Sequence, residues 1–147
     1  MTTPNFTGTS FERKCCALLV KHRAYVKTNL KVYWSPTNWY EPDAVTEKEL
    51  FEFKYQQVNG SVKNKLTQAI FEAQYMGEAL ELRSALVYEG EVLEHFVHND
   101  PAFLKAHSLC PNVQLLSYLD FHDYITSGSD INNWNKNRLL EHTTACC

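Results

Sequence analysis

The chain has 147 residues, of which 44% are hydrophobic and 21% are charged, with a formal net charge of -3 at pH 7. This length is typical of a single domain with one core, and the composition excludes a disordered chain. Its apolar stretches fall short of the roughly 18 residues of a membrane span and its N-terminus does not resemble a signal peptide, so we expect an intracellular protein without a membrane partner.

The first half of the chain alternates between helical and strand patterns. Residues 10–23 open with the capping-box pattern of Thr9 and Glu12 and repeat apolar side chains at helical spacing, which predicts a helix. Residues 29–34, 39–43 and 50–57 are rich in strand-forming side chains and are separated by turn signals, which predicts strands. After Gly60 the helical spacing returns and predicts a second helix to about residue 80.

The second half continues this alternation. Short apolar runs at 84–88 and 113–118 predict strands, and residues 92–97, 101–106 and 120–125 predict helical segments. The order of elements predicts an α/β fold with a mixed central sheet flanked by helices. We expect the domain to span residues 1–128 and residues 129–147 to form a tail that packs on the domain or on a partner.

The strand predicted at 50–57 separates aromatic from polar chemistry. Successive side chains of a strand point to opposite faces, so Phe51, Phe53 and Tyr55 share one face and Glu52 and Lys54 share the other. The aromatic side chains can anchor the strand to a core. A carboxylate and an ammonium then remain together, just downstream of the carboxylate of Asp43. Two carboxylates suit a hard divalent cation, and a lysine suits a phosphate or an attacking water.

Pro42-Asp43 with Glu52-Phe53-Lys54 resembles the PD-(D/E)XK signature of restriction-endonuclease-like nucleases. The signature needs a strand, a tight turn and a second strand, and residues 44–49 form a polar connection of hairpin length. Residues 56–65 also resemble the "KYQQ…GS…K" continuation of some phage and bacterial members. The resemblance implies a restriction-endonuclease-like fold, a Mg²⁺ cofactor that Mn²⁺ can replace, and metal-dependent endonuclease activity.

The resemblance implies four catalytic residues. Asp43 and Glu52 would hold the metal, Lys54 would position the attacking water or neutralise developing charge, and Glu12 would be an accessory metal ligand on the first helix. Each has a structural alternative. Glu12 could close the capping box, Asp43 could be a turn residue, and Glu52 with Lys54 could form a surface pair on an edge strand.

Three further residues are predicted to contact nucleic acid, namely Gln56, Lys63 and Lys65. Gln56 continues the polar face of the strand, with a solvated glutamine as the alternative. The two lysines lie near the start of the second helix, where the helix dipole disfavours cations unless an anion such as a phosphate is present. A solvated lysine face is their alternative. His95 and His98 have a spacing that can bind zinc but lack companion ligands, so we interpret them as structural.

The expected partner is nucleic acid, DNA more than RNA, cut by a restriction, homing, junction or repair type of enzyme. A homodimer is expected because such enzymes usually cut two strands with two active sites. The resemblance also places the protein in the cytoplasm of a prokaryotic or phage-infected cell. The alternatives are a catalytically inactive nuclease-fold module that binds nucleic acid or protein, which the acidic net charge favours, and an RNA-cleaving relative.

Overall fold

A computed structural model describes residues 7–57, 60 and 62–127, with the backbone alone described for residues 63 and 64. The tail predicted at 129–147 lies outside these residues. Among the helices of the described part, none has the length and apolar character needed to cross a membrane.

The described residues alternate between helices and strands, as the sequence predicts. The helices are α1 (Gly8–His22), α2 (Leu66–Leu80), α3 (Glu91–Asn99), α4 (Pro101–Ser108) and α5 (Tyr118–Ser127), and a 3-10 turn at Val62–Lys65 precedes α2. The strands are β1 (Val26–Lys27), β2 (Val32–Tyr33), β3 (Trp39–Tyr40), β4 (Ala44–Thr46), β5 (Glu49–Tyr55), β6 (Arg83–Glu89) and β7 (Val113–Ser117).

The prediction of a mixed α/β sheet is confirmed. Five strands form one sheet in the order β1-β4-β5-β6-β7, and β5 is its central strand. β1, β4 and β5 pair antiparallel, whereas β5, β6 and β7 pair parallel. β2 and β3 form a separate antiparallel ribbon.

The connection predicted at residues 44–49 is wrong. Ala44–Thr46 forms the buried strand β4, which pairs with β5 through Ala44 opposite Phe51, and only Glu47 and Lys48 lie between the two strands. β4 escapes a pattern search because it is short and buried at every position, so it shows no polar alternation. The strands predicted at 29–34 and 39–43 shrink to the two-residue strands β2 and β3.

Helices cover both faces of the sheet. Phe11 of α1 and Phe121 of α5 pack with Phe51 and Phe53 on one face, and the rings of Phe51 and Phe121 lie 5.2 Å apart in an edge-to-face arrangement. On the other face, residues of α2, α3 and α4 pack against Leu86 of β6. The aromatic side of β5 therefore anchors it to the core, as predicted.

The carboxyl ends of β5 and β6 are held together by a glycine. Gly90 follows β6 with a φ of +110°, and a Cβ atom at this position would lie 2.2 Å from the backbone oxygen of Gln56. Only glycine tolerates both the conformation and the approach. This contact fixes the end of the strand that carries Glu52 and Lys54.

Candidate functional site

The strands β4 and β5 separate at Asp43, which creates a gap beside the central strand. The backbone N–H of Asp43 donates to the carbonyl of Phe51 at 3.1 Å. Its side chain then turns toward β5, where Oδ2 accepts a hydrogen bond from the backbone N–H of Phe53 at 2.7 Å. The carboxylate therefore replaces β4 as the partner of β5, and it is more than a turn residue.

Glu52 and Lys54 lie two residues apart on β5, and strand alternation places them on the same face. The Lys54 Nζ atom lies 4.0 Å from Glu52 Oε2, and the Glu52 side chain is 9% exposed compared with 28% for Lys54. The surface-pair alternative is wrong, because β5 is the central strand of the sheet and Glu52 is buried.

Burial disfavours the ionised forms of Asp43 and Glu52, and the positive charge of Lys54 compensates only in part. Desolvation first, and then the nearby Asp43 carboxylate, raise the pKa of Glu52 to about 8, although Lys54 and a backbone hydrogen bond from Asp43 lower it. Desolvation also raises the pKa of Asp43, while the N–H of Phe53 and the charge of Lys54 lower it. Two neighbouring acidic groups with raised pKa values are characteristic of a site that receives a cation or a proton.

Glu12 faces the same region from α1. Helix α1 begins at Gly8 with Thr7 as its N-cap, and the Thr7 hydroxyl accepts a hydrogen bond from the N–H of Ser10. The capping box predicted for Glu12 is therefore wrong. Desolvation first, then the Asp43 carboxylate, raises the pKa of Glu12, while Lys54 lowers it. Glu12 thus shares an electrostatic environment with Asp43 and Lys54.

These side chains surround a small opening that we call the carboxylate cleft. It has a volume of about 320 Å³, and its lining includes Thr9, Glu12, Asp43, Lys54, Tyr55 and Lys65. Glu52 does not line the cleft, but its carboxylate lies 4.0 Å from the ammonium of Lys54, which does. Sequence patterns did not indicate Thr9 or Tyr55 as site residues, because the alternation of β5 assigned Tyr55 to the core face and nothing local marks the first turn of α1 as part of a cleft.

Asp43 in the cleft lining and Glu52 beside Lys54 carry the carboxylate oxygens that could hold Mg²⁺ or Mn²⁺ together with water ligands. Within the described residues, no three His, Cys, Asp or Glu side chains come together as a group that could hold a metal ion. Mg²⁺ needs only one or two carboxylates because it retains several waters, and Asp43 and Glu52 meet that requirement. A bound cation would favour the ionised forms of both carboxyl groups, which burial disfavours. Glu12 as an accessory ligand stays a prediction.

The residues predicted to contact nucleic acid take different positions. Lys65 is exposed at the N-cap of α2 and lines the cleft. Gln56 is 5% exposed, which makes the solvated alternative wrong, and its backbone N–H donates to the carbonyl of Glu89 at 3.1 Å. The side chain of Lys63 lies outside the described residues.

A second cavity, of about 670 Å³, lies at the carboxyl ends of the parallel strands and is lined in part by α3. His98 on α3 lies 3.1 Å from a Glu94 carboxylate oxygen and 3.5 Å from the Tyr88 hydroxyl. His95 contacts Asn99 one turn further along. Each histidine has partners on its own helix or the adjacent strand, which agrees with the structural interpretation.

Comparisons of this chain with protein-family models, with curated proteins and with solved structures found no match. The carboxylate cleft and the residues around it therefore carry the functional argument.

Proposed function

We propose that the protein is a metal-dependent nuclease of the restriction-endonuclease-like type, which hydrolyses phosphodiester bonds in DNA more readily than in RNA. The observation that carries the proposal is the buried pair Asp43 and Glu52 beside Lys54 on the central strand. The antiparallel pairing of β4 and β5 supports it, because Asp43 directly precedes β4 and Glu52 lies within β5, so the two residues are on neighbouring parts of one hairpin.

A second glutamate on the same strand serves as an internal comparison. Glu49 is fully buried. Its carboxylate accepts hydrogen bonds from Nε of Arg23 at 2.9 Å and from Nη2 of Arg23 at 2.6 Å. The hydroxyls of Thr46 and Tyr124 also donate to it. Although burial opposes it, these hydrogen bonds lower the pKa of Glu49. Glu49 therefore has the partners of a structural ion pair.

For Glu52, the effects that raise the pKa outweigh those that lower it. Its pKa rises to about 8 because burial and the Asp43 carboxylate outweigh the attraction of Lys54. A buried charge without adequate partners costs folding free energy, and such groups concentrate at sites where they bind a ligand. The contrast between Glu49 and Glu52 favours a ligand-binding role for Glu52.

The proposed roles follow from these positions. Asp43 and Glu52 would hold the cation, with Glu12 as an accessory ligand across the cleft. When bound, Mg²⁺ or Mn²⁺ supplies a Lewis acid and lowers the pKa of water. The ammonium of Lys54 lines the cleft and donates hydrogen bonds to the attacking water or to a phosphate oxygen. Lys65 at the cleft rim contacts the phosphate backbone, and Lys63 stays a predicted phosphate contact. Cleavage of two strands would require a homodimer.

The test is cleavage of duplex DNA, single-stranded DNA, branched DNA and RNA, each with Mg²⁺, Mn²⁺ or EDTA. We expect metal-dependent cleavage of at least one DNA substrate. Asp43→Asn and Glu52→Gln should abolish it, and Lys54→Met should impair it strongly while calorimetry still detects metal binding, because an ammonium is not a metal ligand. Glu81→Gln, at an exposed helix end, is the matched control.

The non-catalytic module is the alternative that the same experiment addresses. A net charge of -3 favours it, since nucleic-acid enzymes usually present a basic surface. Absence of cleavage on every substrate, together with absence of metal binding that depends on Asp43, would replace the nuclease proposal with this alternative.

A further inference from the structure

The ribbon formed by β2 and β3, which we call the aromatic ribbon (residues 32–40), displays aromatic side chains to solvent. Tyr33 and Trp39 are opposite each other in the ribbon, and their ring centroids lie 5.5 Å apart. Tyr33 is 52% exposed and Trp39 is 42% exposed, and Trp34, whose ring contacts Tyr40, is 48% exposed. Clustered exposed aromatic side chains usually mark an interaction surface.

The aromatic ribbon is held in place from beneath. Val32 is buried in a cluster that includes Met76 of α2. The ring of Tyr40 packs edge-to-face on Tyr75 at 5.8 Å, and the Tyr75 hydroxyl donates to the carbonyl of Tyr33 at 3.3 Å. Strand alternation then directs Tyr33 and Trp39 away from this attachment. The exposed rings thus form a preorganised platform.

The ammonium of Lys31 lies next to the aromatic rings. Lys31 precedes Tyr33 by two residues, and its Nζ atom lies 4.3 Å from the centroid of the Trp39 ring. This cation–π contact places the ammonium over one face of the Trp39 ring. A ligand that places a flat ring on Tyr33 or Trp39 and an anion near Lys31 would satisfy both features.

The segment that leads into the platform is basic in an otherwise acidic chain. Residues 13–40 contain six Lys or Arg residues and no Asp or Glu, whereas the rest of the chain contains eight Lys or Arg and seventeen Asp or Glu. Four of the six are on α1 or just after it, where Lys14 and Arg23 form ion pairs with Glu89 and Glu49. Lys27 and Lys31 precede the ribbon and are exposed. These two ammonium groups favour an anionic ligand.

We propose that the aromatic ribbon binds single-stranded nucleic acid, with bases stacked on Tyr33 and Trp39 and a phosphate at Lys31. Single strands offer unstacked bases, whereas the bases of a duplex are already stacked on one another, so exposed rings select single strands. Stacking does not distinguish DNA from RNA, and the platform accepts either.

The aromatic ribbon also leads directly to the carboxylate cleft. β3 ends at Tyr40, three residues before Asp43, so the Cα atoms of Tyr40 and Asp43 lie at most about 11 Å apart. A strand bound to the ribbon would therefore deliver a single-stranded segment to the cleft. This delivery rests on the proposed nuclease function, whereas binding to the ribbon does not.

The test is fluorescence anisotropy with labelled oligothymidylate, oligouridylate and a blunt DNA duplex of equal length, all in EDTA so that no metal-dependent cleavage occurs. We expect both single strands to bind more tightly than the duplex. Trp39→Ala should weaken single-strand binding about five- to a hundred-fold, and Trp39→Phe should retain most of it. Lys31→Glu should weaken binding at low salt, and Lys31→Ala should reduce the salt dependence by about 0.7 in slope.

Controls distinguish a failure of the ribbon proposal from a failure of the nuclease proposal and from a variant that does not fold. Leu119→Ala removes a side chain that is 75% exposed on α5 and should leave binding unchanged. Wild-type protein that binds single strands in EDTA but cuts no substrate with Mg²⁺ or Mn²⁺ would contradict the nuclease proposal alone. Lys31→Glu alters an exposed side chain, and it keeps the test decisive if Trp39→Ala does not fold.

Three results would overturn the proposal. The first is equal binding of duplex and single strands. The second is single-strand binding that neither Trp39→Ala nor Lys31→Glu weakens. The third is a change of oligomeric state in light scattering on Trp39→Ala with nucleic-acid binding unaltered, which would make the ribbon a protein interface.

Discussion

Replacing Glu52 by glutamine should make the metal-free protein more stable at alkaline pH. The substitution keeps the size of the side chain and removes a buried carboxyl whose pKa rises from 4.5 to about 8. Below pH 4.5 the carboxyl is protonated in both the folded and the unfolded chain. Between pH 4.5 and 8 it is ionised only in the unfolded chain, so folding stability falls as pH rises, and above pH 8 the full cost is present.

The magnitude follows from the same pKa. Each pKa unit corresponds to about 1.4 kcal/mol, so the rise from 4.5 to about 8 sets an upper limit of about 5 kcal/mol. Water penetration on ionisation would reduce this value. We therefore expect the unfolding free energy of Glu52→Gln to exceed that of the wild type by about 2 to 5 kcal/mol at pH 9. At pH 5 the two unfolding free energies should differ by less than about 1 kcal/mol.

Urea unfolding in EDTA at pH 5, 7 and 9 measures this difference, with Glu81→Gln as the exposed control. Parallel stability curves for the wild type and Glu52→Gln would refute the argument, because they would show that Glu52 ionises normally in the folded protein. Added Mg²⁺ at a hundred times its Kd should stabilise the wild type by about 2.7 kcal/mol at pH 9 and should stabilise Glu52→Gln much less.

Three further substitutions or reagents test the packing around the site. Arg23→Ala should lower the unfolding free energy by about 3 to 5 kcal/mol in urea at pH 7, because it leaves Glu49 buried and unpaired; a loss below about 1 kcal/mol would contradict the structural role of the pair. Gly77→Ala should destabilise by about 1 to 3 kcal/mol, since its Cβ would lie 2.0 Å from the Ser84 hydroxyl oxygen, and adding Ser84→Ala should recover part of the loss in a double-mutant cycle. Burial raises the pKa of the Cys15 thiol, so iodoacetamide at pH 8 should label Cys15 only after unfolding, as mass spectrometry of the labelled peptide would show.

Local sequence patterns were sufficient to predict the helices and to assign the side chains of β5 to its two faces. The apolar spacing of α2 and the alternation of Phe51 and Phe53 with Glu52 and Lys54 depend only on the geometry of helices and strands. These patterns also located Asp43, Glu52 and Lys54 as the candidate site. They did not find β4, whose residues are buried on both faces, and they placed the N-cap of α1 at Thr9 instead of Thr7.

The tertiary structure decided which charged residues differ in role. Glu49 and Glu52 lie three residues apart on one strand, and strand alternation places them on opposite faces but does not show which of them has charged partners. Arg23 and Tyr124, which are distant in sequence, reach Glu49 and hold it ionised, whereas Asp43 and burial act together to disfavour ionisation of Glu52. A side chain's pKa depends on the charges and solvent around it, and those are set when distant segments pack together.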